Sequence, residues 1–173
     1  MRWFWIDRFL EFERAKRAVA IKNISLAEDY LTDYMPGYPV YPQALVVEGL
    51  AQTGGLLAGE VNGFRERVVL AKVAKAEFHL LARPGDTLTY EAILEDVKSS
   101  GAICRGISRR GDQIQAEVEL MFAHLDDRFQ GVDLFEPAAF LGMLRQLGVF
   151  AVGRKADGSP LDVPPHMLQA VRG

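Results

Sequence analysis

The 173-residue sequence predicts an α+β domain in which a curved antiparallel sheet wraps around one long buried helix. Two observations predict this arrangement. The segment 43–59 (QALVVEGLAQTGGLLAG) is apolar on nearly every face, which is typical of a helix that is buried all round. The segment 67–125 reads as four strands joined by short turns, which indicates an antiparallel meander. Such a sheet buries the helix by curving around it.

The strands follow from alternating apolar residues and from the turns between them. A first strand is predicted at 17–25, followed by a polar turn around Glu28 and Asp29. The segment 34–42 contains three prolines and a glycine and is therefore predicted to be a rigid loop. After the helix, strands are predicted at 67–82, 86–99, 102–110 and 113–125. The turns between them are Pro84-Gly85-Asp86, Ser99-Ser100-Gly101 and Arg110-Gly111-Asp112.

The end of the chain differs from the rest in composition. Residues 1–128 read as one continuous domain, and residues 129–173 read as a C-terminal helical extension. Within the extension, apolar residues recur at helical spacing and predict a short helix over about 137–150, with Pro137 in its first turn. The following residues, 153–173, collect Gly, Pro and charged side chains, so an irregular tail is expected.

Composition argues against several classes of function. The net charge of −3 comes from 20 basic and 23 acidic residues, so no broad basic field favours nucleic acid as a partner. Cys104 is the only cysteine, which excludes an internal disulfide and a Cys-rich zinc site and makes the cytoplasm the expected location. No stretch approaches the roughly 20 apolar residues that cross a bilayer, so no membrane association is expected.

Six segments, in the same order, resemble the hot-dog-fold 3-hydroxyacyl-acyl-carrier-protein dehydratases over about residues 3–126. These segments are FWIDR (4–8), AIKNI (20–24), MPGYPVYP (35–42), VEGLAQ (47–52), ARPGD (82–86) and AEVELMFA (116–123). In that family a loop of the form H-F-P-G-x-P-V-x-P-G precedes a helix that contains E-x-x-A-Q. The sequence aligns with this pattern without gaps, but Tyr34 replaces the histidine and Gln43 replaces the second glycine.

The resemblance implies a dehydratase site with two catalytic positions. Glu48 matches the helix glutamate and is expected to be the acid for the leaving hydroxyl. Tyr34 stands at the position of the family's base, although a phenol with a reference pKa of about 10 donates a proton more readily than it accepts one. Asp33, the adjacent carboxylate, is a further candidate for the base.

Four further residues are expected to help to bind the substrate. They are Gly37 and Val40 of the loop, Gln43 at the helix start, whose backbone N–H would face the developing oxyanion, and Gln52, one helical turn after Glu48. Gln52 is also interpreted as a structural residue that fixes the helix to the sheet. The resemblance implies no cofactor and no metal.

The resemblance also implies partners and leaves three functions open. The expected partners are thioesters of acyl-carrier protein or coenzyme A in fatty-acid or related acyl metabolism. We expect a homodimer, or a dimer or trimer of such dimers, in which the loop of one protomer meets Glu48 of the other. The open functions are a 3-hydroxyacyl thioester dehydratase, a non-catalytic acyl-binding or partner subunit that lost the base, and an acyl thioesterase. Without the resemblance, Glu48 could simply be a buried carboxyl that stabilises the helix start.

Overall fold

The structure is a computed structural model that describes residues 4–34, 37–125 and 136–169, except for the side chains of residues 32–34. Seven strands and five helices occur within these ranges. In chain order they are β1 (Arg8–Glu13), β2 (Arg17–Asn23), α1 (Asp29–Tyr34), α2 (Gln43–Glu60), β3 (Arg67–Phe78), β4 (Thr87–Lys98), β5 (Gly101–Arg110), β6 (Gln113–Leu125), α3 (Pro137–Gln146), α4 (Val149–Val152), β7 (Gly153–Arg154) and α5 (Pro165–Gln169). The predicted α+β class is confirmed.

All seven described strands form one sheet in the order β3-β6-β5-β4-β2-β1-β7. Neighbouring strands are antiparallel, apart from β7, which pairs with β1 in parallel. The register shifts between Leu70 and Lys72 and again between Val73 and Lys75 in β3, and once in the β4–β5 pair. Such bulges bend strands and increase their twist, so they help the sheet to curve.

The helix α2 lies against this curved sheet and forms the centre of the core. It packs on β2, β3, β4, β5 and β6. Val46, Leu50 and Leu57 are fully buried along it, and the sheet contributes equally buried residues such as Leu88 and Leu120. Burial of a Leu or Val side chain contributes about 1.5–3 kcal/mol, so the apolar surface of α2 is a main source of stability. The long buried helix predicted from 43–59 is therefore confirmed, with one added residue.

Two elements near the N-terminus differ from the sequence expectation. The strand β1 was not expected, because its buried Phe9 and Phe12 are three residues apart rather than alternating. The structure explains this spacing, since the pairing of β1 with β2 shifts register between Phe9 and Glu11. The helix α1 occupies the place where a polar turn and the start of the loop were expected. Tyr34 therefore ends a helix instead of beginning the loop.

The C-terminal region is also more regular than expected. The predicted helix over 137–150 is divided by Gly148, which has a left-handed backbone (φ 78°) and lies between α3 and α4. The expected irregular tail contains two short elements, β7 and α5, and Leu161 and Met167 are buried within it. The extension packs on the sheet edge, where the Phe9 backbone N–H donates to the Leu147 carbonyl over 2.8 Å.

Candidate functional site

The N-terminal end of α2 is open to an approaching ligand. Pro42 precedes the helix with an extended backbone, and no side chain caps the first turn. The first hydrogen bonds of the turn run from the Leu45 and Val46 N–H groups to the Pro42 carbonyl. Gln43 and Ala44 are exposed at this end. The first N–H groups of a helix lack intrahelical partners and carry a partial positive charge, so this end can stabilise a developing oxyanion.

The loop before α2 is fixed to the sheet through its second half. The Tyr41 backbone N–H donates to the Ala82 carbonyl over 2.8 Å, and Val40 and Tyr41 are buried. The first half is more exposed. Gly37 has a left-handed backbone (φ 79°), and the Tyr38 hydroxyl accepts from the Arg83 guanidinium over 2.6 Å. These anchors hold residues 37–42 beside the helix start.

Glu48 lies half-buried at the end of a short chain of hydrogen bonds. The Gln52 amide donates to Glu48 Oε1 over 3.0 Å, while its carbonyl oxygen accepts from the Trp5 backbone N–H over 2.9 Å. The backbone of the segment before β1 thus fixes the Gln52 amide, and Gln52 fixes the carboxyl. The expected structural role of Gln52 stays a prediction, but these bonds run to the N-terminal segment and to Glu48 rather than to the sheet.

Aromatic side chains form a wall beside the first turns of α2. An added Cβ at Gly49 would overlap the Tyr90 ring, so only glycine lets the helix approach this ring so closely. The Tyr30 ring lies 5.3 Å from the Trp5 ring and 5.7 Å from the Tyr41 ring, between centroids. Burial raises the pKa of Tyr41 and Tyr90 well above the ordinary value, so both phenols stay protonated near neutral pH. The wall is therefore uncharged and largely apolar.

The remaining predicted site residues lie in α1, in the loop and at the start of α2. Asp33 and Tyr34 form the last turn of α1, and their side chains lie outside the described residues. Among the predicted site residues, the described side chains bring Glu48 and Gln52 into direct contact. Gly37 and Gln43 are at the surface, and Val40 of the loop is buried.

Sequence reasoning missed a second carboxyl on the same helix. Glu60 is the last residue of α2, its side chain is only 3% exposed, and its Oε2 lies 3.4 Å from Arg14 Nε. Burial raises its pKa to about 7, and the Arg14 charge only partly offsets this effect. The available signal was its position directly after a wholly apolar segment, where a carboxyl shares the burial of its neighbours.

The arrangement around Glu48 can perform acid–base chemistry on a bound carbonyl compound. It offers a positioned carboxyl, an uncapped helix end and an apolar wall. Cys104 is buried, and burial raises the pKa of its thiol to about 12, so it is a poor nucleophile. Within residues 4–34, 37–125 and 136–169, no group of three or more His, Cys, Asp and Glu side chains could hold a metal ion. No described helix is both long and apolar enough to cross a membrane.

Sequence comparison with known proteins identifies one family model and several similar proteins. A family model described as the FabA-like domain matches residues 3–116. A 3-hydroxyacyl-[acyl-carrier-protein] dehydratase FabZ of Desulforamulus reducens is 40% identical over 121 residues, which cover 68% of this chain and 84% of that protein. The FabZ of a Thermoanaerobacter species is 34% identical over 118 residues, which cover 68% and 83%.

Solved structures agree on the fold, and the family follows from the sequence. The dehydratase heterocomplex ApeI:P of Xenorhabdus doucetiae superimposes with a TM-score of 0.60 at 11% identity, over 72% of this chain and 84% of that chain. A Streptococcus mutans protein bound to acetyl CoA gives 0.59 at 13% identity, over 72% and 93%. With the family model and relatives at 34–40% identity, these likenesses show that the chain belongs to the FabA-like family of hot-dog-fold 3-hydroxyacyl-acyl-carrier-protein dehydratases.

Proposed function

We propose that the protein catalyses the dehydration of 3-hydroxyacyl thioesters carried by acyl-carrier protein, in fatty-acid or related acyl metabolism. One observation carries the proposal. Glu48 lies on α2 just after an uncapped, exposed helix start, and a hydrogen-bond chain from Trp5 through Gln52 fixes its carboxyl. The relatives at 34–40% identity carry the name of this dehydratase, which supports the same reaction here.

Each step of the reaction has a candidate group in the chain. A base removes the proton beside the thioester carbonyl, donors stabilise the resulting enolate oxygen, and an acid protonates the leaving hydroxyl. Glu48 supplies the acid, and the backbone N–H of Gln43 at the helix start supplies the oxyanion donor. Tyr34 binds the substrate as a hydroxyl donor at the position where the family has histidine. The base is then assigned to Asp33, the carboxylate next to it.

The proposed site is completed by a second copy of the chain. The strand β3 lies at one edge of the sheet, and no described strand pairs with its outer side. Every residue from 71 to 77 on this strand is exposed. Leu70 and Val73 are large apolar side chains that are each 39% exposed on this strand. Exposed edge strands that carry apolar residues favour pairing with another chain. We therefore infer a homodimer, or an assembly of such dimers, in which the loop of one copy faces Glu48 of the other.

The dimer inference has its own measurement. Val73→Asp places a charge on β3 and should convert the dimer to a monomer, as measured by sedimentation equilibrium. Lys98→Asp, on β4 in the interior of the sheet rather than on the β3 edge, is the matched control and should leave the assembly unchanged. A wild-type protein that sediments as a monomer contradicts the inference.

The reaction is tested by enoyl formation from 3-hydroxybutyryl thioesters of acyl-carrier protein and of coenzyme A, and by the reverse hydration of crotonyl thioesters. Glu48→Gln should lower kcat/KM by about 10²–10⁴-fold, the range for loss of a positioned acid. Asp33→Asn should cause a comparable loss. Glu95→Gln, which changes an exposed carboxyl of β4, should retain the wild-type rate and is the matched control.

Other outcomes would identify the alternatives. An inert wild-type protein that gains activity as Tyr34→His would contradict the proposal and indicate an acyl-binding subunit without a base. Release of free thiol from the acyl thioester, without enoyl formation, would indicate a thioesterase. The structures named as thioesterases are only 5–13% identical to this chain and share the fold alone, so they do not favour that reaction.

A further inference from the structure

A second polar cleft lies at the opposite end of α2 from Glu48. It has a volume of about 440 Å³ and is lined by the turn after α2, the turn between β1 and β2, and the C-terminal extension. On one side, the turn 61–64 contains two residues with left-handed backbones, Gly63 and Phe64. On the other side is Pro164, whose ring lies 3.8 Å from the position of an added Cβ at Gly63. The site around Glu48 shares none of these lining residues.

Two buried polar atoms in this cleft lack hydrogen bonds within the described part of the chain. They are Nδ1 of His166 and Oε2 of Glu60, whose described contact is the 3.4 Å ion pair with Arg14 Nε. Glu60 is 2% exposed as a whole residue, so water replaces the missing bond poorly. A buried polar atom without a hydrogen bond costs about 1–3 kcal/mol, which is why such atoms usually face a partner. Both atoms therefore point to a ligand that forms hydrogen bonds.

The charged side chains in the cleft indicate whether this ligand is a cation or an anion. The cationic side chains are Arg14, Arg65 and Lys155, and the acidic ones are Glu60 and Asp162. Each acid already has a cationic partner, since Arg14 Nε lies 3.4 Å from Glu60 Oε2 and Lys155 Nζ lies 2.6 Å from Asp162 Oδ2. Among residues 4–34, 37–125 and 136–169, Arg65 has no acidic partner. An entering cation would have to displace Arg14, whereas an anion would find a free guanidinium.

We propose that this cleft is a binding site for a small oxyanion, a carboxylate or a phosphate group, which Arg65 holds by charge while His166 and Glu60 donate hydrogen bonds to it. Arginine suits this role because its planar guanidinium can form two parallel hydrogen bonds with a carboxylate or a phosphate. Arg14 adds positive charge, but its Nη2 also donates to the Val61 carbonyl over 3.0 Å and holds the end of α2 in place. This proposal does not depend on the proposed dehydratase function.

Protonation of Glu60 should control the affinity of the site. Its pKa of about 7 means that the carboxyl is largely protonated at pH 6, where it can donate to an anion, and charged at pH 8, where it repels one. The charged groups that face it are Arg14 on the β1–β2 turn, Arg65 after α2, and Lys155 and Asp162 in the extension. Burial, aided by the Arg65 charge, lowers the pKa of His166, which favours the neutral form of this side chain.

The test is a titration of the full chain with sulfate, which remains a dianion over this pH range, and in parallel with acetate. Amide NMR shifts report both the affinity and the position of binding, with chloride keeping the ionic strength constant. We expect saturable shifts in residues 61–66 and 160–167, with an affinity that falls about tenfold from pH 6 to pH 8 as Glu60 loses its proton. Tighter sulfate binding would assign a phosphate-bearing ligand, and tighter acetate binding would assign a carboxylate.

Variants separate the proposal from nonspecific binding. Arg65→Gln should weaken binding about tenfold, the effect of losing a charge-assisted hydrogen bond. Glu60→Gln supplies a permanent donor, so it should retain binding and remove the pH dependence. Lys98→Gln, which changes an exposed lysine of β4 that does not line the cleft, should leave binding unchanged. Shifts that do not saturate, shifts that map elsewhere, or an equal loss in the Arg65 and Lys98 variants would overturn the proposal.

Discussion

The buried carboxyl of Glu60 should make the stability of the fold fall as the pH rises, and one substitution tests this effect. The pKa of Glu60 is raised from 4.5 to about 7 because burial disfavours the charged form. Between these two values the unfolded chain loses the proton while the folded chain still holds it. The folded state then binds more protons than the unfolded state, so the free energy of unfolding decreases with pH in this range.

The size of the effect follows from the two pKa values. A folded-state pKa of about 7 against an unfolded value of 4.5 removes about 3 kcal/mol of stability over the whole range, and about 2.5 kcal/mol of this loss falls between pH 5 and pH 8. This is a large share of the 5–15 kcal/mol that typically stabilises a domain. Glu60→Gln removes the titrating group, while Arg14, whose side chain is 39% exposed, remains solvated.

The measurement is urea unfolding of the wild type and Glu60→Gln at several pH values from 5 to 8. The difference in free energy of unfolding should shift in favour of the variant by about 2.5 kcal/mol across this interval. Other titrating groups contribute equally to both proteins and therefore cancel. For Glu95→Gln, at an exposed position, the difference from the wild type in free energy of unfolding should stay constant across these pH values. A constant difference for Glu60→Gln would refute the reasoning.

Four further substitutions test the packing and the proposed site. Gly49→Ala should destabilise the protein by about 1–3 kcal/mol in urea unfolding because its Cβ overlaps the Tyr90 ring. Gly55→Ala, whose Cβ would meet Phe122 at an ordinary 3.4 Å, should stabilise the protein by about 0.5–1 kcal/mol. A change in the free energy of unfolding with the same sign in both variants would contradict this account. Leu144→Ala, fully buried in α3, should cost about 2–5 kcal/mol by the same assay, and a change near zero would show that the extension packs weakly. Gln52→Ala should lower kcat about tenfold with little change in KM, because Glu48 loses the bond that orients it, and an unchanged kcat would exclude that role.

The main elements of the fold were predictable from local patterns. The apolar run 43–59 and the turns that begin at 84, 99 and 110 indicated α2 and the strands around it. Their bounds agree closely with the structure, except that β3 ends at Phe78 rather than at 82. The strand β1 could not be recognised, because its register shift breaks the alternation on which the prediction depends. The division of the C-terminal helix at Gly148 depends on a left-handed backbone, which the apolar spacing alone does not reveal.

The candidate site was predictable in part for a similar reason. Glu48 and Gln52 lie four residues apart on a helix, so their contact follows from helical geometry. The bond from the Trp5 backbone to Gln52 joins residues 47 positions apart and could not be derived from local sequence. Glu60 was missed because its burial arises from the C-terminal extension and the β1–β2 turn, which come together only in the folded chain.

The parallel pairing of β7 with β1 bears on how far the sheet can extend from one molecule to the next. On that side, β7 and the Leu147 carbonyl occupy backbone groups of Phe9, Phe12 and Glu13 that would otherwise accept another strand. Only the β3 side of the described sheet then remains available for strand addition. If two molecules join through β3, as we infer, that side is used up on both partners, and the C-terminal extension would limit growth to a closed pair and protect against fibre formation.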